Sequence, residues 1–184
     1  MRERPGDTRS RIRDVALDLF AEQGYEQTAL REIAERLGVT KAALYYHFKS
    51  KDEIVESVLA DRLRFLDELI AYGRQREPDR ELRRDVLARY AEGLRQPANR
   101  RLMRFFERNQ PALRSSPSAA RLKERMRDLV RVICGPDAGP EAEMRTGLAL
   151  FAAHAAAHWL STELDEEERL RVALAVGNEL LDRT

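Results

Sequence analysis

An all-α fold is predicted for this 184-residue chain by three observations. Ala, Leu, Arg and Glu dominate, and all are strong helix formers. No stretch shows sustained two-residue alternation rich in Val, Ile and Thr, so no strand is expected. Apolar residues instead recur at three-to-four spacing between breaks marked by Gly and Pro, and about nine helices fit. Hydrophobic residues make up 43%, enough for a globular core, and 35% charged residues suit many solvated helix faces.

The first helix is expected from Thr8 to Gln23. Ile12, Val15, Ala16, Leu19 and Phe20 form its apolar face, and Gly24 supplies the stop. Thr28 can cap a second helix that turns Ile33, Ala34 and Leu37 inward. Position 31 is Arg, so a full capping box on Thr28 is not expected. Gly38 ends that helix, and Thr40 opens a short third one to about His47. A long fourth helix spans Lys51 to Arg74, with Pro78 closing the linker after it. Five more fit Arg80–Leu94, Ala98–Asn109, Ser118–Ile133, Pro140–Leu160 and Glu166–Asp182. No internal repeat or low-complexity tract interrupts them.

Net charge is +1, so no bulk basic character marks a nucleic-acid binder. The distribution says slightly more, with ten Lys and Arg against eight Asp and Glu in residues 1–51. Lysine occurs only at 41, 49, 51 and 123, and three of these four fall within that segment. Cys134 is the one cysteine, which excludes an intrachain disulfide and fits a reducing compartment. An inert structural role is its default, with redox sensing as the alternative. The N-terminus lacks an apolar signal core. The most apolar stretch, Leu148 to Leu160, is too short to span a bilayer and carries His154 and His158. A cytoplasmic chain without a membrane segment is expected.

Between Thr28 and Lys51, two short amphipathic helices meet at Leu37-Gly38-Val39-Thr40. A three-to-four-residue turn with Gly is what a helix-turn-helix requires. Gly38 can take the positive φ that ends one helix, Val39 can bury itself, and Thr40 can cap the next. On a helical wheel Lys41, Ala42, Tyr45 and Tyr46 share an outward arc, while Leu44 points to the core and Phe48 can turn inward past the helix end. A cation, a small residue and aromatic hydroxyls on one short helix face suit a DNA major groove. A plain helical hairpin with two surface tyrosines is the bland alternative.

The same segment resembles the N-terminal domain of tetracycline-repressor (TetR) family regulators. The residues that carry the likeness are Ile33-Ala34, Leu37-Gly38-Val39-Thr40, Ala43-Leu44-Tyr45-Tyr46-His47-Phe48 and Lys51, together with the preceding helix Ile12 to Tyr25. The likeness covers about residues 10–60; beyond them the chain matches in length and helical layout. It implies a helix-turn-helix DNA-binding domain at 1–50 and an effector-binding and dimerisation domain at 51–184. It implies DNA contacts at Arg31, Thr40, Lys41, Ala42, Tyr45, Tyr46, His47 and Lys51. His47 and Lys51 would hold phosphates, although the wheel alone puts His47 nearer the buried side. The implied protein is a homodimer bound to a palindromic operator on double-stranded DNA.

Small and aliphatic faces on the last two helices fit the dimer contact: Ala149, Ala152, Ala153 and Ala156, then Leu170, Ala173, Leu174, Gly177 and Leu181. These faces could instead pack within one chain. An apolar or aromatic effector would be lined by Phe65, Leu69, Tyr90, Met103, Phe106, Met126, Phe151, His154 and Trp159, each of which could equally be ordinary core. Asn109 and Gln110 are weaker candidates for polar handles. His154 and His158 share a helix face at metal-ligand spacing, yet no third ligand is apparent. They fit a pocket or an interface better than a metal. A small metal-dependent enzyme built on them is the rival class, but no nucleophile motif, phosphate loop or carboxylate pair supports it. No enzyme and no cofactor are expected. A regulator answering to a protein partner, without a small-molecule effector, is the third reading.

Overall fold

The computed structural model describes residues 5–109, 117–158 and 163–183. Among the described residues there are nine helices and no strand. They are α1 (Pro5–Gln23), α2 (Leu30–Leu37), α3 (Lys41–His47), α4 (Lys51–Arg74), α5 (Arg80–Arg95), α6 (Pro97–Arg108), α7 (Pro117–Cys134), α8 (Pro140–His158) and α9 (Glu166–Leu181). Pro97, Pro117 and Pro140 each open a helix, where a missing N–H has no cost. The chain divides into two compact units, residues 1–62 with 101–120 and residues 63–100 with 121–184.

In the first unit α1 packs on α2 and α2 on α3. Ile12, Ala16, Leu19 and Phe20 are buried as their spacing predicts, and so are Ile33, Ala34 and Leu44. The entry to α2 differs from expectation. Its N-cap is Ala29, not Thr28, and the Glu32 carboxylate accepts the Ala29 N–H at 2.6 Å. Thr28 is buried and donates its hydroxyl back to the Gly24 carbonyl at 2.8 Å, closing the α1–α2 turn. One residue's shift in the cap moves the box partner from Arg31 to Glu32.

A segment distant in sequence completes this unit. Arg101 and Arg104 hold Asp18 of α1 at 3.2 and 2.9 Å. The Phe105 ring lies 5.6 Å from that of Phe20 and 6.1 Å from that of Tyr25. Asn109 is buried and fully used: Oδ1 accepts the Tyr25 N–H at 2.7 Å, and Nδ2 donates to the carbonyls of Phe20 and Phe105 at 3.1 and 3.0 Å.

In the second unit Leu66, Leu82, Val86, Leu87, Leu129, Ile133, Ala149 and Leu181 belong to one buried core. Asp79 and Asp165 cap α5 and α9 by accepting the amides of Leu82 and Glu168 at 2.7 and 2.8 Å. α8 and α9 run antiparallel, since Arg145 near the start of α8 donates to the Arg183 carbonyl beyond the end of α9 at 2.6 Å. Arg80 and Arg84 clasp Asp182, which holds its carboxyl well below the usual carboxylate range.

The small-residue faces are taken up inside the chain. Ala149, Ala153, Ala156, Ala173, Gly177 and Leu181 are buried against their own neighbours. A Cβ added at Gly177 would meet Leu87 Cδ2 at 2.7 Å and the Ala149 carbonyl oxygen at 3.4 Å. Gly177 therefore serves close approach of α5, α8 and α9 within one protomer. Ala152, Leu170 and Leu174 keep partial exposure. What the unit leaves to solvent is another stripe: Met144, Leu148 and Phe151 on α8, with Val172 and Val176 on α9.

Candidate nucleic-acid interface

α2 ends through hydrogen bonds that only a left-handed residue permits. Gly38 has φ +73°, its N–H reaches the Glu35 carbonyl at 3.1 Å, and the Val39 N–H reaches that of Ala34 at 3.0 Å. The chain then re-enters helix at Thr40, whose extended backbone (φ −69°, ψ 150°) lets Oγ1 accept the Ala43 N–H at 3.1 Å. α3 is anchored by Leu44 and, past its end, by Phe48, both wholly buried. Phe48 turns inward on an extended backbone, and its N–H holds the Leu44 carbonyl at 3.0 Å.

With that face fixed, the opposite face points outward by helix geometry. Lys41 and Ala42 are exposed, and Tyr45 is half-buried. Tyr46 is 79% exposed, an unusual state for a tyrosine. The Lys41 ammonium lies 5.5 Å from the Tyr45 ring centroid, close enough to steady that ring. Thr40 and Arg31 are exposed at the N-termini of α3 and α2. The exposed face of α3 itself offers one cation, Lys41, with two phenol hydroxyls and the helix N-terminus, a donor-rich set without a carboxylate.

His47 is half-buried, as the wheel places it, and its ring meets that of Tyr46 edge-on at 5.2 Å. Lys51 is engaged elsewhere. Its ammonium donates to the carbonyls of Tyr25 and Glu26 at 2.5 and 3.2 Å and sits 4.6 Å from the Tyr25 ring centroid. A phosphate would have to share or displace those contacts. The Tyr25 hydroxyl donates to Asp52, and burial with this carboxylate pushes its pKa above the ordinary tyrosine range.

The effector candidates are divided between the two units. Leu69 and Tyr90 are core residues of the second unit, with Phe65 and Met126 packed against that core. Met103 and Phe106 belong to the first unit. Phe151 is 49% exposed, on the apolar stripe of α8. His154 is half-buried. Trp159, Gln110 and the side chain of His158 lie outside the described residues. Asn109 offers no handle to a ligand, because all its polar atoms are bound within the first unit. Among the described residues no three His, Cys, Asp or Glu side chains gather as a metal site. Cys134 is buried, and burial foremost, then the Glu143 charge, pushes its thiol pKa up, away from thiolate chemistry.

Three residues of consequence escaped the sequence reading. Glu32 and Lys49 act on nearby backbone: the Lys49 N–H is taken by the Glu53 carboxylate at 2.6 Å, and its ammonium by the Tyr45 carbonyl. Their charge and spacing could have signalled it. Arg9 reaches the far end of α3 from α1, and no local pattern announces that.

These features define a helix-turn-helix protein with an all-helical remainder. A family model described as "Bacterial regulatory proteins, tetR family" matches residues 12–58. The transcriptional regulator SrpR of Pseudomonas putida is 46% identical over 56 residues, which is 30% of this chain and 26% of that protein. The regulator AcrR of Shigella flexneri is 48% identical over 52 residues, 28% of this chain and 24% of that one. The matched region thus spans well under half the length of these curated relatives. A solved tetR-family regulatory protein from Rhodococcus RHA1 superposes with a TM-score of 0.67 at 23% identity, covering 94% of this chain and 96% of that one, which extends the shared fold beyond the head. Residues 12–58 thus form a head similar to that of the tetR family of bacterial regulatory proteins, and these likenesses support a TetR-family, DNA-binding transcriptional regulator.

Proposed function

We propose that the chain is a homodimeric transcriptional regulator, acting as a repressor on cytoplasmic DNA, and that α3 reads a palindromic operator from the major groove. The outward arc of α3 carries this reading. Lys41, Ala42, Tyr45 and Tyr46 would meet base edges, with Thr40 and Arg31 at the helix N-termini beside phosphates. His47 and Lys51 would add phosphate contacts, the latter at the expense of its bonds to the α1–α2 turn. Residues 1–50 act as the head and 51–184 as the switching and dimerising part.

A second copy is the natural occupant of the stripe on α8 and α9. Met144 is 65% exposed, Leu148 47% and Phe151 49%, at i, i+4 and i+7; Val172 and Val176 add 42% and 48% at i and i+4. Two adjacent antiparallel helices with such stripes complete a four-helix contact when paired about a two-fold axis. The same axis would set two heads about 34–36 Å apart, the spacing of successive major grooves. An apolar effector among Phe65, Leu69, Tyr90 and Met126 would release DNA only by favouring a state whose heads no longer fit that spacing. A thermal-shift screen of apolar compounds, followed by operator binding with each hit, tests the effector; hits that leave operator affinity unchanged rule it out. In vitro selection from random duplex DNA tests the main proposal. An inverted repeat should emerge. A pool that stays random would overturn the DNA reading.

A further inference from the structure

α3 has seven residues, Lys41–His47. A helix so short is not stable by propensity. Its pose, and so the aim of Tyr45 and Tyr46, depends on what holds its two ends. Thr40 satisfies the first turn. The last four carbonyls have no partner inside the helix. The Phe48 N–H takes the Leu44 carbonyl at 3.0 Å, and the Lys49 ammonium takes that of Tyr45. The carbonyl of His47 is taken from another helix, by Nη1 of Arg9 on α1 at 3.0 Å, across 38 residues of sequence. The same guanidinium lies 4.2 Å from the centroid of the Phe48 ring.

These two contacts act on one point. The hydrogen bond fixes the end of α3, and a cation there complements the negative end of the helix dipole. The guanidinium over its ring holds Phe48, the wholly buried anchor just past that end. Arg9 is itself half-buried. A lysine could supply the charge and one donor, but it could not cover the ring while holding the carbonyl.

We propose that Arg9 is a positioning residue for DNA readout: it sets the roll and C-terminal end of α3, and thereby the aim of Tyr45 and Tyr46, without itself holding a phosphate. This rests on the reading of α3 as the helix that enters the groove. Salt dependence separates positioning from phosphate binding, because each neutralised phosphate contributes about one unit to the slope of log affinity against log salt.

The experiment compares the full-length wild type with Arg9→Ala and Arg9→Lys on the selected operator at several salt concentrations, with amide exchange of α3 measured in the absence of DNA. Arg9→Ala should weaken binding about tenfold, near the effect of one lost charged hydrogen bond, with an unchanged salt slope. The amides of Leu44 to Phe48 should exchange faster. Arg9→Lys should keep most of the defect. A slope smaller by about one unit, with lysine restoring affinity, would overturn the proposal in favour of a phosphate contact. Wild-type affinity in Arg9→Ala would overturn it outright. If Arg9→Ala fails to fold, the wild-type Arg9 guanidinium is followed by nitrogen NMR: an unshifted signal on adding operator supports positioning, and a shift with altered exchange overturns it. A wild-type chain that selects no DNA overturns the reading beneath, and is told apart because no variant is needed to see it.

Discussion

The Thr40 hydroxyl and the Asn109 amide are both satisfied by backbone, yet only one could be foreseen. Thr40 and Ala43 are three residues apart, so a sequence pattern contains both partners of that 3.1 Å bond. The partners of Asn109 include Tyr25 and Phe20, 84 and 89 residues away, and no periodicity links them. Thr28 shows the intermediate case. It has the right residue type for a cap, but its hydroxyl is drawn to the Gly24 carbonyl and the cap moves to Ala29. Two predictions belong at this scale. Thr40→Ala should lower stability by about 1 kcal/mol, read as a shift in the urea midpoint. Asn109→Leu should cost more, about 1–3 kcal/mol, because it strands the Tyr25 N–H and the Phe20 carbonyl. A midpoint equal to wild type would show that water replaces the amide.

At the scale of helices, all nine were visible in the spacing of apolar residues and in Gly and Pro, and α4 has the expected bounds Lys51–Arg74. Which partner a helix face meets was not visible. Ala149, Ala153 and Gly177 allow close approach whether the neighbouring helix comes from the same chain or another, and composition does not distinguish the two. Burial does, and it leaves Met144, Leu148, Phe151, Val172 and Val176 outside. Leu148→Glu combined with Val176→Glu should therefore give a monomer by sedimentation without loss of helix content; a persistent dimer would place the contact elsewhere. Inside the unit, Gly93 faces the Phe65 ring, with Cζ 2.2 Å from where a Cβ would stand. Gly93→Ala should destabilise by about 1–3 kcal/mol through overpacking, measured by thermal or urea unfolding.

For the molecule as a whole, charge acts on stability and on DNA in different places. The carboxyls of Asp85, Glu166 and Asp182 titrate below their ordinary values, chiefly through hydrogen bonds from Tyr72, Arg95 and Arg80 respectively. A carboxyl with a lowered folded-state pKa stabilises above the ordinary carboxylate range and loses that contribution as pH falls through its folded-state value. Stability should thus fall in acid, and Asp182→Asn should flatten the fall between about pH 4 and pH 2. An unchanged acid limb would remove Asp182 from that role. On DNA, the net charge of +1 gives little general attraction, and the proposed readout rests on local groups of α3.

The most direct test is the ratio of affinities for the selected operator and a scrambled duplex, at one salt concentration, for the wild type and for Tyr45→Ala/Tyr46→Ala. Each lost readout contact is worth about 1–3 kcal/mol. The wild type should prefer the operator by about a thousandfold or more, and the double variant should lose at least about tenfold of that preference while unfolding at the same temperature. A ratio unchanged by both substitutions would contradict the claim that the outward arc of α3 reads the sequence.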